Sequence, residues 1–187
     1  MSDTDMEGFR LSPQQREVWS SEAGRGRTAQ CAAWIGGPLR TDDLRAALAA
    51  LVERHEILRT GFRKIAGQKF PLQVIRDPRP PRWQESEATD RAAILAVLAE
   101  EAAEPFDLEG GEGLRARLVR LPDGHALVLT VPALCADARG LMNLLGELAQ
   151  LYAGVDLDDP LQYVDAAEVL NDLLEAEDTR AARPANS

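Results

Sequence analysis

The chain is poor in the residues that most often carry chemistry. It holds two cysteines, Cys31 and Cys135, and two histidines, His55 and His125. Neither cysteine stands at a metal-ligand spacing or within a disulfide framework, and both lie in apolar runs where a thiol behaves as a small hydrophobe. A histidine-based catalytic pair would have to use one of the two histidines. The opening Met-Ser-Asp-Thr-Asp-Met is acidic and has no apolar core, so no secretory signal is expected. No apolar run approaches the roughly 20 residues that cross a bilayer. The expected compartment is therefore the cytoplasm. GxGxxG and Walker sequences are missing too, and with them the usual nucleotide-binding signatures.

Positive charge is also short. Lys and Arg number 21 against 31 Asp and Glu, a formal net charge of -10 with a pI near 4.7. Nonspecific nucleic-acid binding requires a cationic footprint, and so does docking on an anionic membrane. Both are excluded as expected partners. What is present is ordinary for a globular protein: 187 residues, 45% hydrophobic and 28% charged. A chain of this length buries roughly two-thirds of its unfolded surface, enough for a real core.

Ser12-Pro13 starts a helix, with Ser as N-cap, Pro at the first helical position and Gln15 at the capping-box spacing. This helix is expected to reach about Glu22. Residues 28–35 (TAQCAAWI) read as a strand stopped by Gly36-Gly37-Pro38. Leu44, Ala47, Leu48, Leu51 and Val52 fall at helical spacing after an acidic first turn, and the helix closes near His55. Residues 58–65 and 70–75 read as a hairpin. Pro78, Pro80 and Pro81, with Pro71 just upstream, predict a loop over 77–90.

Residues 88–103 read as a helix, and 114–120 with 126–131 as a second hairpin about Asp123-Gly124. Leu141, Leu144, Leu145 and Leu148 mark another helix, and a last one is expected from about Val164 to Ala176. The fold class is α/β, a mixed sheet covered by helices.

Four segments, taken in order, resemble the first half of the condensation domains of nonribosomal peptide synthetases. Leu11-Ser-Pro-Gln-Gln-Arg-Glu-Val-Trp19 is similar to the family's opening SxAQxRLW-type helix. Arg54-His-Glu-Ile-Leu-Arg-Thr-Gly-Phe62 matches its RHExLRTxF motif. Pro105-Phe-Asp-Leu-Glu109 with Leu114-Arg-Ala-Arg-Leu118 resembles its PFDLxxGPLLRARL stretch, and Gln162-Tyr-Val-Asp165 its QYxDFAxW segment. The resemblance implies a chloramphenicol-acetyltransferase-like single lobe over residues 11–178, between a flexible N-terminus (1–10) and a flexible tail (179–187).

In that family two such lobes form a V, and carrier proteins deliver thioesters on phosphopantetheine arms to a channel between them. The signature HHxxxDG places its second His at the reacting amine. Here the equivalent segment is Val131-Pro-Ala-Leu-Cys-Ala-Asp-Ala-Arg-Gly140. Pro132 and Ala133 stand in the two histidine slots, Ala138 replaces the Gly, and Asp137 is retained. A methyl group neither takes a proton nor donates a hydrogen bond, and a general base contributes roughly 10²–10⁴-fold. No catalytic residue is expected.

Two roles fit Asp137: pairing with Arg59 at the floor of the channel, or capping the helix that begins near Arg139. Arg54 and His55 are assigned structural duty at a helix end, and His125 is expected to be exposed in its turn. Cys135 lies among apolar neighbours that raise a thiol's pKa, which argues against a nucleophile. Trp19 and Trp34 are assigned to the core. An acidic surface repels an acidic carrier protein unless Arg10, Arg16, Arg25 and Arg27 gather into a local basic patch.

Three functions follow from the resemblance. The first is a histidine-deficient docking module of secondary-metabolite biosynthesis, binding a peptidyl carrier protein or an adenylation domain, with phosphopantetheine on the partner and no cofactor of its own. The second is half of a split acyl or aminoacyl transferase completed by a second condensation lobe in trans. The third is a recruitment domain for a tailoring enzyme.

Overall fold

A computed structural model describes residues 8–181. Six helices and six strands follow one another: α1 (Pro13–Ser20), α2 (Glu22–Arg25), β1 (Thr28–Ile35), α3 (Thr41–Arg54), β2 (Thr60–Arg63), β3 (Leu72–Ile75), β4 (Arg82–Glu87), α4 (Ile94–Ala103), β5 (Arg115–Leu121), β6 (Gly124–Pro132), α5 (Ala138–Tyr152) and α6 (Tyr163–Ala181). A single 3-10 turn, Glu56–Arg59, joins α3 to β2.

The main sheet has the order β1-β6-β5-β4, and β2 and β3 form a separate two-stranded ribbon. β6 runs antiparallel to both β1 and β5, whereas β4 lies parallel to β5. Both faces of the sheet are covered, and the alternation along β6 shows why. Leu127, Leu129 and Val131 pack into the larger core, which includes Leu48 and Leu51 of α3 and Leu141, Leu144 and Leu148 of α5. Ala126 and Val128 point the other way, toward Ile94 of α4 and Val119 and Leu121 of β5. Burial on both faces makes residues 126–129 an uninterrupted apolar run rather than an alternating one.

The α1 start follows the expected capping box: Ser12 Oγ accepts from the Gln15 amide and Gln15 Oε1 accepts from the Ser12 amide. The helix stops at Ser20, short of Glu22, because Ser21 caps α2 by accepting from the Gly24 amide at 2.8 Å. The first hairpin is narrower than expected, since the 3-10 turn takes up Glu56–Arg59 and pairing begins at Thr60↔Ile75.

The proline-rich 77–90 stretch is not a loop throughout. Its three prolines end at Pro81, and β4 pairs immediately afterwards, from Arg82↔Arg115 to Glu87↔Arg120. An edge strand tolerates the polar sequence RWQESE because one side remains in water, and its partner lies some thirty residues onward where no local signal reaches. α4 begins at Ile94 rather than near residue 88, after a turn in which Asp90 Oδ1 accepts from the Ala93 amide. α6 continues to Ala181, past the expected end near Ala176.

Of the segments expected to be flexible, residues 1–7 and 182–187 lie outside the described residues. Phe9 and Arg10 are held. Phe9 exchanges both backbone hydrogen bonds with Gln73 of β3, and Arg10 reaches Glu168, Asp172 and Glu175 on α6.

Candidate functional site

β6 delivers the Pro132–Asp137 segment to one end of the sheet. Pro132 is the last paired residue, opposite Thr28, and the chain turns at once: Ala133 N donates to Arg27 O at 2.8 Å, and Cys135 N to Pro132 O at 2.8 Å. Asp137 then accepts from the Gly140 amide at 2.7 Å and caps α5. In front of this turn lies a cleft of about 530 Å³, walled by Gln14 and Val18 of α1, by Ala133–Ala136, and by Ala166 and Leu170 of α6.

The lining is mostly aliphatic, and its polar groups are largely engaged with one another. Ser12 Oγ and Tyr163 Oη lie 2.7 Å apart. Gln15 Nε2 donates to the Leu134 carbonyl at 3.1 Å and to Gln73 Oε1 at 2.9 Å, while Gln73 Nε2 donates to Arg10 O at 2.8 Å. Asn171 completes the chain of contacts, donating to Leu11 O and accepting from Arg16. Buried amides of this kind are retained where every donor finds an acceptor. They knit α1, β3, α6 and the turn after β6 into one wall.

Titratable groups are few here. Burial pushes the Cys135 thiol up to about 12, so it stays protonated at neutral pH. Burial also raises the Tyr163 phenol, with the Ser12 hydrogen bond acting in the opposite sense. Among the lining residues Asp137 is the one carboxylate, and it is committed to the α5 cap.

The structure separates Arg59 from Asp137. Arg59 donates from Nη1 to the Arg76 carbonyl at 2.6 Å and lies 3.3 Å from Glu56, so the channel-floor pairing is not formed and the helix cap is. The reason is local: the 3-10 turn aims Arg59 back along β3 rather than toward α5.

Arg54 and His55 converge on a residue that sequence reasoning missed. Glu147 of α5 lies 2.8 Å from Arg54 Nε and 2.8 Å from His55 Nε2. Arg54 also donates to the carbonyls of Leu157 and Asp158. Gln162 locks the same corner, accepting from the Glu56 amide and donating to Arg54 O. Burial tends to raise the Glu147 carboxyl, but the Arg54 and His55 hydrogen bonds outweigh it and hold the group below the usual carboxylate range. The motif thus joins the C-terminus of α3 to α5 and to the approach of α6.

The Pro105–Leu118 segment is built around Arg115, which is 3% exposed. Its guanidinium donates to Glu112 and to the carbonyls of Glu104 and Pro105, and sits 3.8 Å from the centroid of the Phe106 ring. Glycine is required at 113, where an added Cβ would come within 2.5 Å of the Leu58 carbonyl oxygen.

Other expectations need correction. Trp34 is 46% exposed, with the Arg91 guanidinium 4.7 Å from its ring centroid, because its side of edge strand β1 is not covered by a helix at that point. Trp19 is buried as expected. His125 is half-buried rather than exposed, since it is paired within the sheet opposite Ile35 and Arg120. The four arginines do not gather into one basic patch, although Arg25 and Arg27 line one small cleft together beside Glu104. Arg10 sits among three carboxylates, Arg16 binds Asn171, and Arg25 lies 5.7 Å over the Trp19 ring.

A family model described as Condensation domain matches residues 9–183. Tyrocidine synthase 3 of Brevibacillus parabrevis is 35% identical over 147 residues, which is 78% of this chain and 2% of that protein. Phosphinothricin tripeptide synthetase PhsC of Streptomyces viridochromogenes is 37% identical over 148 residues, 72% of this chain and 13% of that protein. The chain therefore spans a small fraction of these synthetases. Among solved structures, the condensation domain of the monacolin K polyketide synthase MokA superimposes with a TM-score of 0.81 at 24% identity, covering 94% of this chain and 41% of that one. The X-domain from teicoplanin biosynthesis gives 0.78 at 32% identity, covering 100% and 42%, and a further solved structure holds that X-domain in complex with OxyB. The fold is that of one chloramphenicol-acetyltransferase-like lobe.

Proposed function

The chain belongs to the condensation-domain family of nonribosomal peptide synthetases, and on that premise we propose that it works as a docking lobe rather than as a catalyst of amide formation. One observation carries this reading. The β6 turn, where the resemblance puts two histidines, presents Pro132 and Ala133, and around them stand aliphatic side chains, an engaged amide network and a thiol that stays protonated. The cleft can hold an uncharged arm by apolar contact. It offers no poised proton acceptor for an attacking amine.

In this role the lobe engages a carrier protein or an adjoining assembly-line domain, and any phosphopantetheine enters on the partner. The character of the cleft supports it: an aliphatic wall suits the apolar stretches of a pantetheine chain, and Gln14 is an exposed side-chain amide on its rim.

The test is a two-carrier assay with donor and acceptor thioesters, paired with an NMR titration of the labelled chain by holo and apo carrier protein. No amide product is expected, together with shifts at Ala133, Cys135 and Tyr163 for the holo form. Product formation by the isolated chain would overturn the proposal. A second reading, recruitment of a tailoring enzyme, is favoured by the likeness to the teicoplanin X-domain at 32% identity. Retention of an oxygenase by the immobilised chain, with no response to either carrier form, would make it the better description.

A further inference from the structure

The chain is acidic as a whole but not everywhere. Residues 57–76 hold no Asp or Glu, and neither do residues 23–41. With 31 Asp and Glu in 187 residues, a stretch of that length would ordinarily carry about three. Residues 57–76 also contain both lysines of the chain, Lys64 and Lys69, in the connection between β2 and β3. The two flank a four-residue turn over 65–68, closed by the Gln68 amide donating to the Ile65 carbonyl at 3.1 Å. Gly67 takes the left-handed conformation this turn requires, with φ +80°. The turn brings both lysines to the same end of the ribbon, and both are exposed.

The two acid-free stretches meet over one ring. Arg25 lies 5.7 Å and Lys64 5.9 Å from the centroid of Trp19, which also stacks on Phe62 at 6.4 Å. Trp19 is buried, so its indole is a platform for the two cations rather than a contact in its own right. Lys69 lies 5.1 Å from the centroid of the Phe70 ring. Among the described residues neither lysine enters an ion pair, whereas Arg10, Arg54 and Arg115 are committed to carboxylates within the lobe. Glu17, the one carboxylate of α1, stands two residues before Trp19 and so on the far side of that helix.

We propose that this cationic turn, Lys64 and Lys69 with Arg25 beside Trp19, is the surface on which an acidic carrier protein docks. The inference rests on the docking reading and gives the protein contact a face of its own, apart from the cleft. Helix α1 joins the two: Val18 lines the cleft and Trp19 carries the cations. Charge decides the occupant. A membrane or a nucleic acid is anionic over an extended surface and would meet the chain's 31 carboxylates as well. In a second copy, the α6 carboxylates Glu168, Asp172 and Glu175 already share Arg10. A small acidic protein surface meets the patch alone.

For the test, the apo form of the carrier protein used above is labelled with fluorescein and titrated with the full chain at 50 mM salt. Lys64→Glu with Lys69→Glu should weaken binding tenfold or more. Arg45→Glu with Arg79→Glu, an equal change of charge at exposed positions elsewhere, should weaken it less than threefold. Lys64→Arg with Lys69→Arg should keep the affinity within twofold, and 300 mM salt should weaken the wild type at least fivefold. A carbodiimide, which condenses a carboxylate with a touching amine, should join the carrier to Lys64 or Lys69. The Lys→Arg pair should lose that cross-link while still binding.

Equal losses from the two charge reversals, cross-links confined to other positions, or no binding of the apo carrier would each overturn the inference. So would an anionic vesicle or an oligonucleotide that binds through the lysines while the carrier does not. Self-association in sedimentation that the lysine reversal dissolves would assign the patch to a second copy and overturn it as well. Failure of the docking reading is read separately, as amide product in the two-carrier assay.

Discussion

Replacing Glu147 by Gln tests whether the Arg54–His55 motif serves architecture. The substitution keeps the shape and one acceptor oxygen but removes the charge that Arg54 Nε and His55 Nε2 share at 2.8 Å each. A hydrogen bond to a charged group is worth about 1.5–3 kcal/mol. Glu147 has 27% of its side chain exposed, against 15% for Arg54 and 14% for His55, so water screens part of that energy. With one oxygen still accepting, the expected loss is about 2 kcal/mol. For a domain of this size that lowers Tm by about 4–8 °C.

The pH dependence gives a second, independent readout. The folded-state carboxyl of Glu147 is held below its unfolded value near 4.3. Its contribution is therefore fully present above about pH 5 and is lost as the pH falls through the lowered folded value. Thermal melts followed by circular dichroism at pH 7 and pH 3 should show a gap between the wild type and Glu147→Gln that narrows on acidification. A variant within 1 °C of wild type at pH 7, or a gap that persists undiminished at pH 3, would refute the account.

Three further outcomes are expected. Thiol labelling of the native chain at pH 8 should be slow for both cysteines and slowest for Cys135, which burial pushes up to about 12; both should react at once in denaturant. Gly113→Ala should cost about 3 kcal/mol in urea unfolding, because the new Cβ meets the Leu58 backbone at 2.5–2.7 Å and backbone does not yield as a side chain does. Arg115→Lys should cost about 2–4 kcal/mol, since an ammonium reproduces neither the fork on Glu112 nor the stacking on Phe106; a melt within 2 °C of wild type would count against that role.

Much of the fold was legible because its signals are local. The Ser12-Pro13-Gln15 capping box, the apolar stripe from Leu44 to Val52 and the Asp123-Gly124 turn each act over a few residues, and each element formed where these placed it. The misreadings share one cause. β4 carries a polar sequence after three prolines and exists because β5 supplies its partner from a distant part of the chain. Trp34 reads as core until edge strand β1 leaves its ring uncovered, and His125 reads as turn until β1 and β5 enclose it.

The site divides along the same line. The residue types themselves, Pro132 and Ala133 at the end of an apolar strand and Asp137 before a helix, are properties of the sequence, and from them follow both the lack of a proton acceptor in those slots and the α5 cap. Which groups meet across space is decided only by packing. Glu147 under Arg54 and His55, Gln73 under Gln15, and α6 as a wall of the cleft are separated from their partners by 58 to more than 90 residues or by whole elements. A contact at such separation leaves no local periodicity. It forms because the apolar faces of α3, α5 and the sheet share one core, and the polar groups at its margin must then satisfy one another.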